Sequence, residues 1–175
     1  MDEEFEIFRR GTCRYFKELT PVPEEDLLTL VKAGMQARAV GNQKAREFII
    51  VTREDLVKAI SHNSIIAGPA RKASAVIAVV GKPEGVSFPE EWSFDCAAAA
   101  QNILIEAEHL GLSTLWMQVY PYQDRKVHLR HLLDIPDSLE PFCVIAVGYA
   151  DKRPVRMNRY DEREVSYDLF GSRKK

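Results

Sequence analysis

Ala75-Val76-Ile77-Ala78-Val79-Val80 is a continuous apolar run rich in β-branched residues and closed by Gly81-Lys82-Pro83. It is too short for an ordinary globular helix and is bounded by turn residues, so it reads as a strand buried on both faces. Such a strand needs cover on each side, and the flanking sequence offers it. Upstream, Phe48-Ile49-Ile50-Val51-Thr52 is a second β-branched run, followed by a helix over Glu54 to Ser61 and a loop-like stretch from His62 to Lys72. Further upstream, Thr20-Pro21-Val22-Pro23-Glu24-Glu25-Asp26 starts a helix, with proline at the entry and acids where the dipole favours them. Leu27, Leu28, Val31 and Met35 then recur at helical spacing, and Phe5 and Phe8 share one side of a short helix over residues 3–9. Downstream, residues 94–110 form an Ala-rich helix, capped by Ser93 and ended by Gly111. Leu115 to Tyr120 reads as a strand, 122–133 as a helix, and Phe142 to Val147 as a strand ended by Gly148-Tyr149. Helices thus alternate with buried strands, which predicts an α+β or α/β sheet sandwiched by helices.

The chain has 175 residues, 46% hydrophobic and 29% charged, which suits one domain with a packed core. A formal net charge of -2 offers no bulk attraction to nucleic acid or an acidic membrane, so anion binding must come from local clusters. No apolar run approaches the roughly 20 residues of a membrane span. The N-terminus, Met1-Asp2-Glu3-Glu4, resembles neither a secretory signal nor a transit peptide. Cys13, Cys96 and Cys143 are far apart and odd in number, which reads as reduced thiols in a cytoplasmic protein.

Three stretches could carry chemistry. Arg10, Thr12 and Arg14 alternate, so an extended backbone would aim all three the same way. Two guanidiniums and a hydroxyl on one face suit phosphate, although on spacing alone a solvated basic patch is the plainer reading. Arg153, Arg156 and Arg159 form a second cluster, and the two clusters together could clamp one phosphate from both ends of the chain. The amides of Gly41-Asn42-Gln43 could bond the edge of a heterocycle, or simply make a turn. Gln101-Asn102 in the Ala-rich helix reads as a pair of satisfied structural amides. His128 and His131, beside Arg125, Lys126 and Arg130, lack further ligands nearby, so no metal site is expected and a solvated helical face is. Cys13 lies between basic residues that could lower its pKa, but no histidine partner is evident and a nucleophilic role is not expected. There is no Rossmann, P-loop or Ser/His/Asp hydrolase signature.

Taken together, these pieces resemble the nitroreductase family of flavoproteins. The resemblance begins at Arg10-Gly11-Thr12-Cys13-Arg14-Tyr15-Phe16, similar to the family's R-x-S-x-R-x-F, and runs through Val22-Pro23-Glu24-Glu25-Asp26-Leu27 to Gly41-Asn42-Gln43 and Glu47 to Thr52. It continues in Asp95 to Leu104, in Leu110-Gly111-Leu112, in Trp116-Met117-Gln118-Val119-Tyr120-Pro121, in Val147-Gly148-Tyr149 and in Arg159-Tyr160-Asp161. Each piece is weak alone; their order and spacing carry the resemblance.

The resemblance implies one α+β domain over 1–175, with a mixed central sheet flanked by helices. It also implies a homodimer with FMN at the interface. The charged segment 151–175 holds Tyr160, Val165, Tyr167, Leu169 and Phe170 without clear periodicity, and reads as an arm packing on the partner subunit. Carried over by position, Arg10, Thr12, Arg14 and Arg159 would hold the FMN phosphate, and Asn42 would approach the flavin ring from the other subunit. Met117, Gln118 and Val119 would run beside the isoalloxazine with backbone amides toward it. The implied chemistry is the flavin's: NADH or NADPH delivers hydride, and a nitroaromatic, a quinone or a similar small molecule takes the electrons in a ping-pong cycle without a catalytic side chain. Two departures matter. The family's P-S-x-x-N becomes Arg38-Ala39-Val40-Gly41-Asn42, and Q-P-W becomes Lys44-Ala45-Arg46. Arg38 would add positive charge near the flavin, and the altered loop keeps open an alternative, a flavin-binding or flavin-free paralogue with a regulatory or structural role.

Overall fold

The apolar run at 75–80 lies at the centre of the molecule. The computed structural model describes residues 5–18, 20–62 and 65–173 (backbone alone over 65–67). In it the run is β2 (Ala75–Gly81), buried along its whole length. It joins β1 (Arg46–Val51), β3 (Ser113–Gln118) and β4 (Glu140–Gly148) in a four-stranded sheet of order β1-β2-β4-β3. All neighbours in it are antiparallel, and among the described residues the parallel element of the expected mixed sheet is a single bridge between Thr12 and Thr114.

Strand alternation divides the core in two. Ala75, Ile77 and Val79 of β2 join Cys143, Ile145 and Val147 of β4 on one face; Val76, Ala78 and Val80 join Val144 and Ala146 on the other. The register slips between Val79 and Val80, which pair with Cys143 and Pro141, so Phe142 is bulged out and shares the first face with Cys143. Helices α2 (Glu24–Met35) and α4 (Trp92–His109) cover that face through Leu27, Leu30, Cys96, Ala100 and Ile103. Helices α3 (Glu54–Ser61) and α5 (Gln123–Leu133) cover the other through Val57, Ile60 and Leu129. An antiparallel sheet clad on both faces explains why its central strands read as unbroken apolar runs.

Several local expectations change. The first helix, α1, spans Glu6–Arg9; residues 3 and 4 of the expected helix lie outside the described residues. Helix α4 starts at Trp92, after a 3-10 turn at Pro89–Glu91, so Ser93 lies inside the helix and does not cap it. Packing fixes that start: a Cβ on Gly81 would stand 2.0 Å from the Trp92 ring, so the buried indole closes over the bare end of β2. The segment expected as a loop contains 3-10 turns over Ile65–Lys72. The basic residues of α5 are not a solvated face. Lys126 pairs with Glu140 at 2.8 Å, and Arg130 donates to the Leu139 carbonyl at 2.8 Å, which ties the helix to the entry of β4. Among the described residues no helix is long and apolar enough to cross a membrane.

Candidate functional site

The segment that carries Arg10, Thr12 and Arg14 lies along the outer edge of β3. The Cys13 amide donates to the Thr114 carbonyl at 2.8 Å, Phe16 bridges to Ala150, and the Asp151 amide donates to the Tyr15 carbonyl at 2.8 Å. The chain leaving β4 therefore continues beside this segment. It then crosses Gly11 so closely that a Cβ there would lie 2.5 Å from the Pro154 Cβ. Thr12 and Arg14 are exposed on either side of buried Cys13, but the alternation ends there, because Tyr15 is exposed and Phe16 is buried. Arg10 is half-buried, and its Nε is buried without a hydrogen-bond partner among the described residues. A buried guanidinium nitrogen without an acceptor is costly; Arg9 Nε and Arg46 Nε and Nη1 share that condition, and Arg10 is set apart by its place beside Thr12 and Arg14. Beside Arg14 opens a cleft of about 420 Å³ that also draws on Arg71, Lys72 and Asp151.

Arg159 is exposed, and its Nη2 lies 3.9 Å from the Met157 sulfur. The structure brings the tail to the basic turn through Pro154 and Val155, not through Arg159 itself.

The free edge of β3 supplies the second part of the site. Thr114 turns its carbonyl outward to Cys13, and the Val119 amide turns inward to the Phe142 carbonyl at 3.3 Å. By the alternation of an antiparallel ladder, the amides of Trp116 and Gln118 then face away from β4, where no further strand follows. Of Met117, Gln118 and Val119, Gln118 thus presents its N–H at the open edge, while the Met117 and Val119 side chains are buried in the second core. The Gln118 side chain is occupied: its Oε1 accepts from the Trp116 indole at 2.8 Å and its Nε2 donates to the Tyr120 carbonyl at 2.6 Å. Arg125, which the sequence placed on a solvated face, donates to the Gln118 carbonyl at 2.8 Å and stands 4.2 Å over the Tyr122 ring.

The turn from α2 to β1 differs from a plain amide-presenting loop. Asn42 is exposed at φ +55°, and its side chain has no hydrogen-bond partner among the described residues. Gln43 is spent internally, donating to the Phe88 carbonyl at 3.2 Å and accepting from the Phe88 amide at 2.9 Å. Asp95, 1% exposed, accepts from the Val40 amide at 2.8 Å and from Gln43 Nε2 at 3.1 Å. No sequence signal marked Asp95, because its partners lie 52 and 55 residues away. Arg38 is exposed. Asn102 is the structural amide expected, donating to the Ala33 carbonyl at 3.1 Å and so joining α4 to α2.

The thiols are inert. Burial raises the Cys13 pKa against a smaller opposing effect of the Tyr15 backbone, which reverses the lowering its basic neighbours suggested. Burial pushes Cys96 up to about 12, with the Asp95 charge adding to it, and burial holds Cys143 well above the usual thiol range. His128 Nε2 lies 3.4 Å from the Ala59 carbonyl, and the described residues hold no group of three or more side chains able to bind a metal.

The chain is similar in sequence and fold to known proteins. The nitroreductase family model matches residues 70–149. A provisionally named NADH dehydrogenase/NAD(P)H nitroreductase from Archaeoglobus fulgidus is 34% identical over 144 residues, 82% of each chain. A crystal structure with the same provisional name, from Parabacteroides distasonis, superposes with a TM-score of 0.89 at 33% identity, covering 94% of this chain and 96% of that one. A provisionally named nitroreductase in complex with FMN, from Desulfovibrio desulfuricans, shares the fold at a TM-score of 0.78 and 20% identity, covering 94% of this chain and 95% of that one. With the fold common to nearly the whole chain and a third of the aligned residues identical, this chain belongs to the nitroreductase family of oxidoreductases.

Proposed function

We propose that the protein is an FMN-dependent oxidoreductase that takes hydride from NADH or NADPH and reduces small nitroaromatic, quinone or similar acceptors. The observation that carries this reading is the basic segment at 10–14 lying along the open edge of β3. The buried, unpartnered Nε of Arg10 fits a phosphate oxygen, and the exposed Thr12 and Arg14 add a hydroxyl and a second guanidinium in the same segment. The outward amides of Trp116 and Gln118 fit the carbonyl and ring-nitrogen edge of a heterocycle. FMN fits both, and when bound it supplies the two-electron chemistry.

The chain's own residues bind and orient. Arg10, Thr12 and Arg14 hold the phosphate end, with Arg159 returning from the tail. Gln118 offers its amide at the ring edge between the buried flanks of Met117 and Val119, and Asn42 contributes from the partner subunit. Arg125 fixes the Gln118 carbonyl, and so the peptide whose other side sends the Val119 N–H inward to Phe142, which steadies the end of β3 next to the outward Gln118 N–H. No side chain need move a proton in catalysis. One pocket serves donor and acceptor in turn, so ping-pong kinetics are expected.

The homodimer completes the site in this reading. Phe5, Phe8 and Phe94 expose more than half their surface, and in the tail Met157, Tyr160, Leu169 and Phe170 do the same. Apolar exposure on that scale marks a surface meant for burial. We read residues 1–175 as one domain, with 151–175 as an arm on the partner. Three buried thiols suit a cytoplasmic setting. A flavin-free role would leave the clustered positive charge of Arg10 and Arg14 without a ligand. Equilibrium titration with FMN, followed by flavin fluorescence, tests the proposal together with sedimentation. Binding at micromolar FMN by a dimer is expected; a folded protein that binds none overturns it.

A further inference from the structure

The turn that bears Asn42 is fastened by contacts with a distant part of the chain. Gly41, Asn42 and Lys44 all take left-handed φ values, +54°, +55° and +56°. Glycine adopts that region freely and asparagine tolerates it, so Gly41 and Asn42 favour the turn locally, while Lys44 holds its left-handed φ against preference. Three restraints fasten the turn. The buried Asp95 carboxylate, in the first turn of α4, takes the Val40 amide on Oδ1 and the Gln43 amide on Oδ2. The Gln43 side chain in turn makes two bonds to the backbone of Phe88, at 2.9 and 3.2 Å. The Phe88 ring lies over Gly41, where a Cβ would stand 2.4 Å from it. At the far end, Arg46 Nη2 donates to the Met35 and Ala37 carbonyls at 2.9 and 2.8 Å, which closes the C-terminal end of α2. The residues before and after Asn42 are therefore fastened, and its backbone amide donates to the Ala39 carbonyl at 3.1 Å, while its side-chain amide has no partner among the described residues.

We propose that Asp95, Gln43 and Phe88 form a latch that preorganises the Val40–Asn42 turn, making Gln43 and Asp95 positioning residues for the contact of Asn42 with the bound flavin. This rests on the flavin reading given above. The latch also gives a reason why the turn can lose the proline and serine of the family pattern: long-range hydrogen bonds fix what a rigid proline and a local hydroxyl would otherwise fix. A ligand that meets a preset turn does not bear the entropy of ordering it.

The test is a double-mutant cycle on FMN affinity with Asn42→Ala, Gln43→Ala and both together, alongside thermal unfolding without FMN. Gln43→Ala is expected to weaken FMN binding about tenfold in the wild-type background and by less than about twofold once Asn42 is already alanine. A simple loss of stability would not produce that dependence on Asn42. Phe88→Ala, which leaves the backbone bonds intact, is expected to show the same pattern with a smaller factor, and it provides the reading if Gln43→Ala fails to fold. The proposal is overturned if Gln43→Ala, or Phe88→Ala in its place, binds FMN as tightly as wild type. It is likewise overturned if Asn42→Ala has no effect, or if the double variant shows the full sum of the single losses. In those cases wild-type binding still stands and only the latch falls, whereas a wild-type protein that binds no FMN removes the flavin reading and the latch with it.

Discussion

Replacing Arg10 by methionine should move stability and ligand binding in opposite directions. Methionine keeps the apolar stem, which packs, and removes the guanidinium. Without ligand, the buried Nε has no acceptor, so its loss removes a desolvation penalty. For a half-buried side chain a discounted value of about 1 kcal/mol is reasonable, and for a domain of this length that raises the Tm by roughly 2–4 °C. With FMN present, the variant loses charge-assisted hydrogen bonds worth about 1.5–3 kcal/mol each. Thr12 and Arg14 remain, so a net loss of about 2–4 kcal/mol is expected, or roughly 30- to 1000-fold in Kd. Differential scanning fluorimetry without FMN and fluorescence titration with it give the two quantities. A Tm lowered by several degrees with unchanged FMN affinity would refute the reasoning, because it would make Arg10 a structural residue whose Nε is satisfied in the native protein.

The other expectations concern the core, the thiols and Arg38. Ile103→Ala empties a fully buried site between α4 and the sheet and should cost about 2–5 kcal/mol in urea unfolding; a loss below about 1 kcal/mol would contradict the packing. Gly81→Ala places a methyl group 2.0 Å from the Trp92 ring and should destabilise by about 1–3 kcal/mol or more, with a change in tryptophan fluorescence. A thiol reagent at mild pH should label none of the three cysteines until the protein unfolds, since all are buried with raised pKa values. The linked effect on stability has a definite sign. Above the ordinary thiol value of 9.0 the unfolded chain loses protons that folded Cys96 keeps up to about 12, so this contribution is full below 9.0 and fades between 9.0 and 12. Arg38→Ala should lower the two-electron reduction potential of the loaded protein if the exposed cation faces the flavin. A screened surface charge is worth at most about 1 kcal/mol, or roughly 20 mV for this couple, and an unchanged or higher potential would show that Arg38 points elsewhere.

What the sequence made legible was whatever repeats locally. The β-branched run at 75–80 is buried along its whole length, whereas the run expected buried at 48–52 is a half-buried edge strand ending at Val51, and of the helical spacing Leu27 and Val31 are buried while Leu28 and Met35 are exposed. The alternation expected of Arg10, Thr12 and Arg14 holds only around buried Cys13, since Arg10 is half-buried and the packing of Phe16 breaks the period-two pattern beyond Arg14. The rest depended on distant partners. The start of α4 is set by Trp92 against Gly81, not by the serine whose local chemistry suggested a cap. Asp95 and Gln43 become a latch only when Phe88 and Val40 are brought to them. Cys13 has basic neighbours in sequence, but the fold buries its sulfur, and burial decides the direction of its pKa. Arg125 looked like one cation among several until β3 ended beside it and offered the Gln118 carbonyl.

The most direct test of the account is the absorption spectrum of the protein loaded with FMN, recorded without oxygen while NADH or NADPH is added. The account predicts that visible flavin bands are retained through gel filtration with a dimer, bleach on addition of the reduced nicotinamide, and return when a quinone or nitroaromatic acceptor follows. A folded protein that retains no flavin, or retains one that neither nicotinamide bleaches, would contradict it.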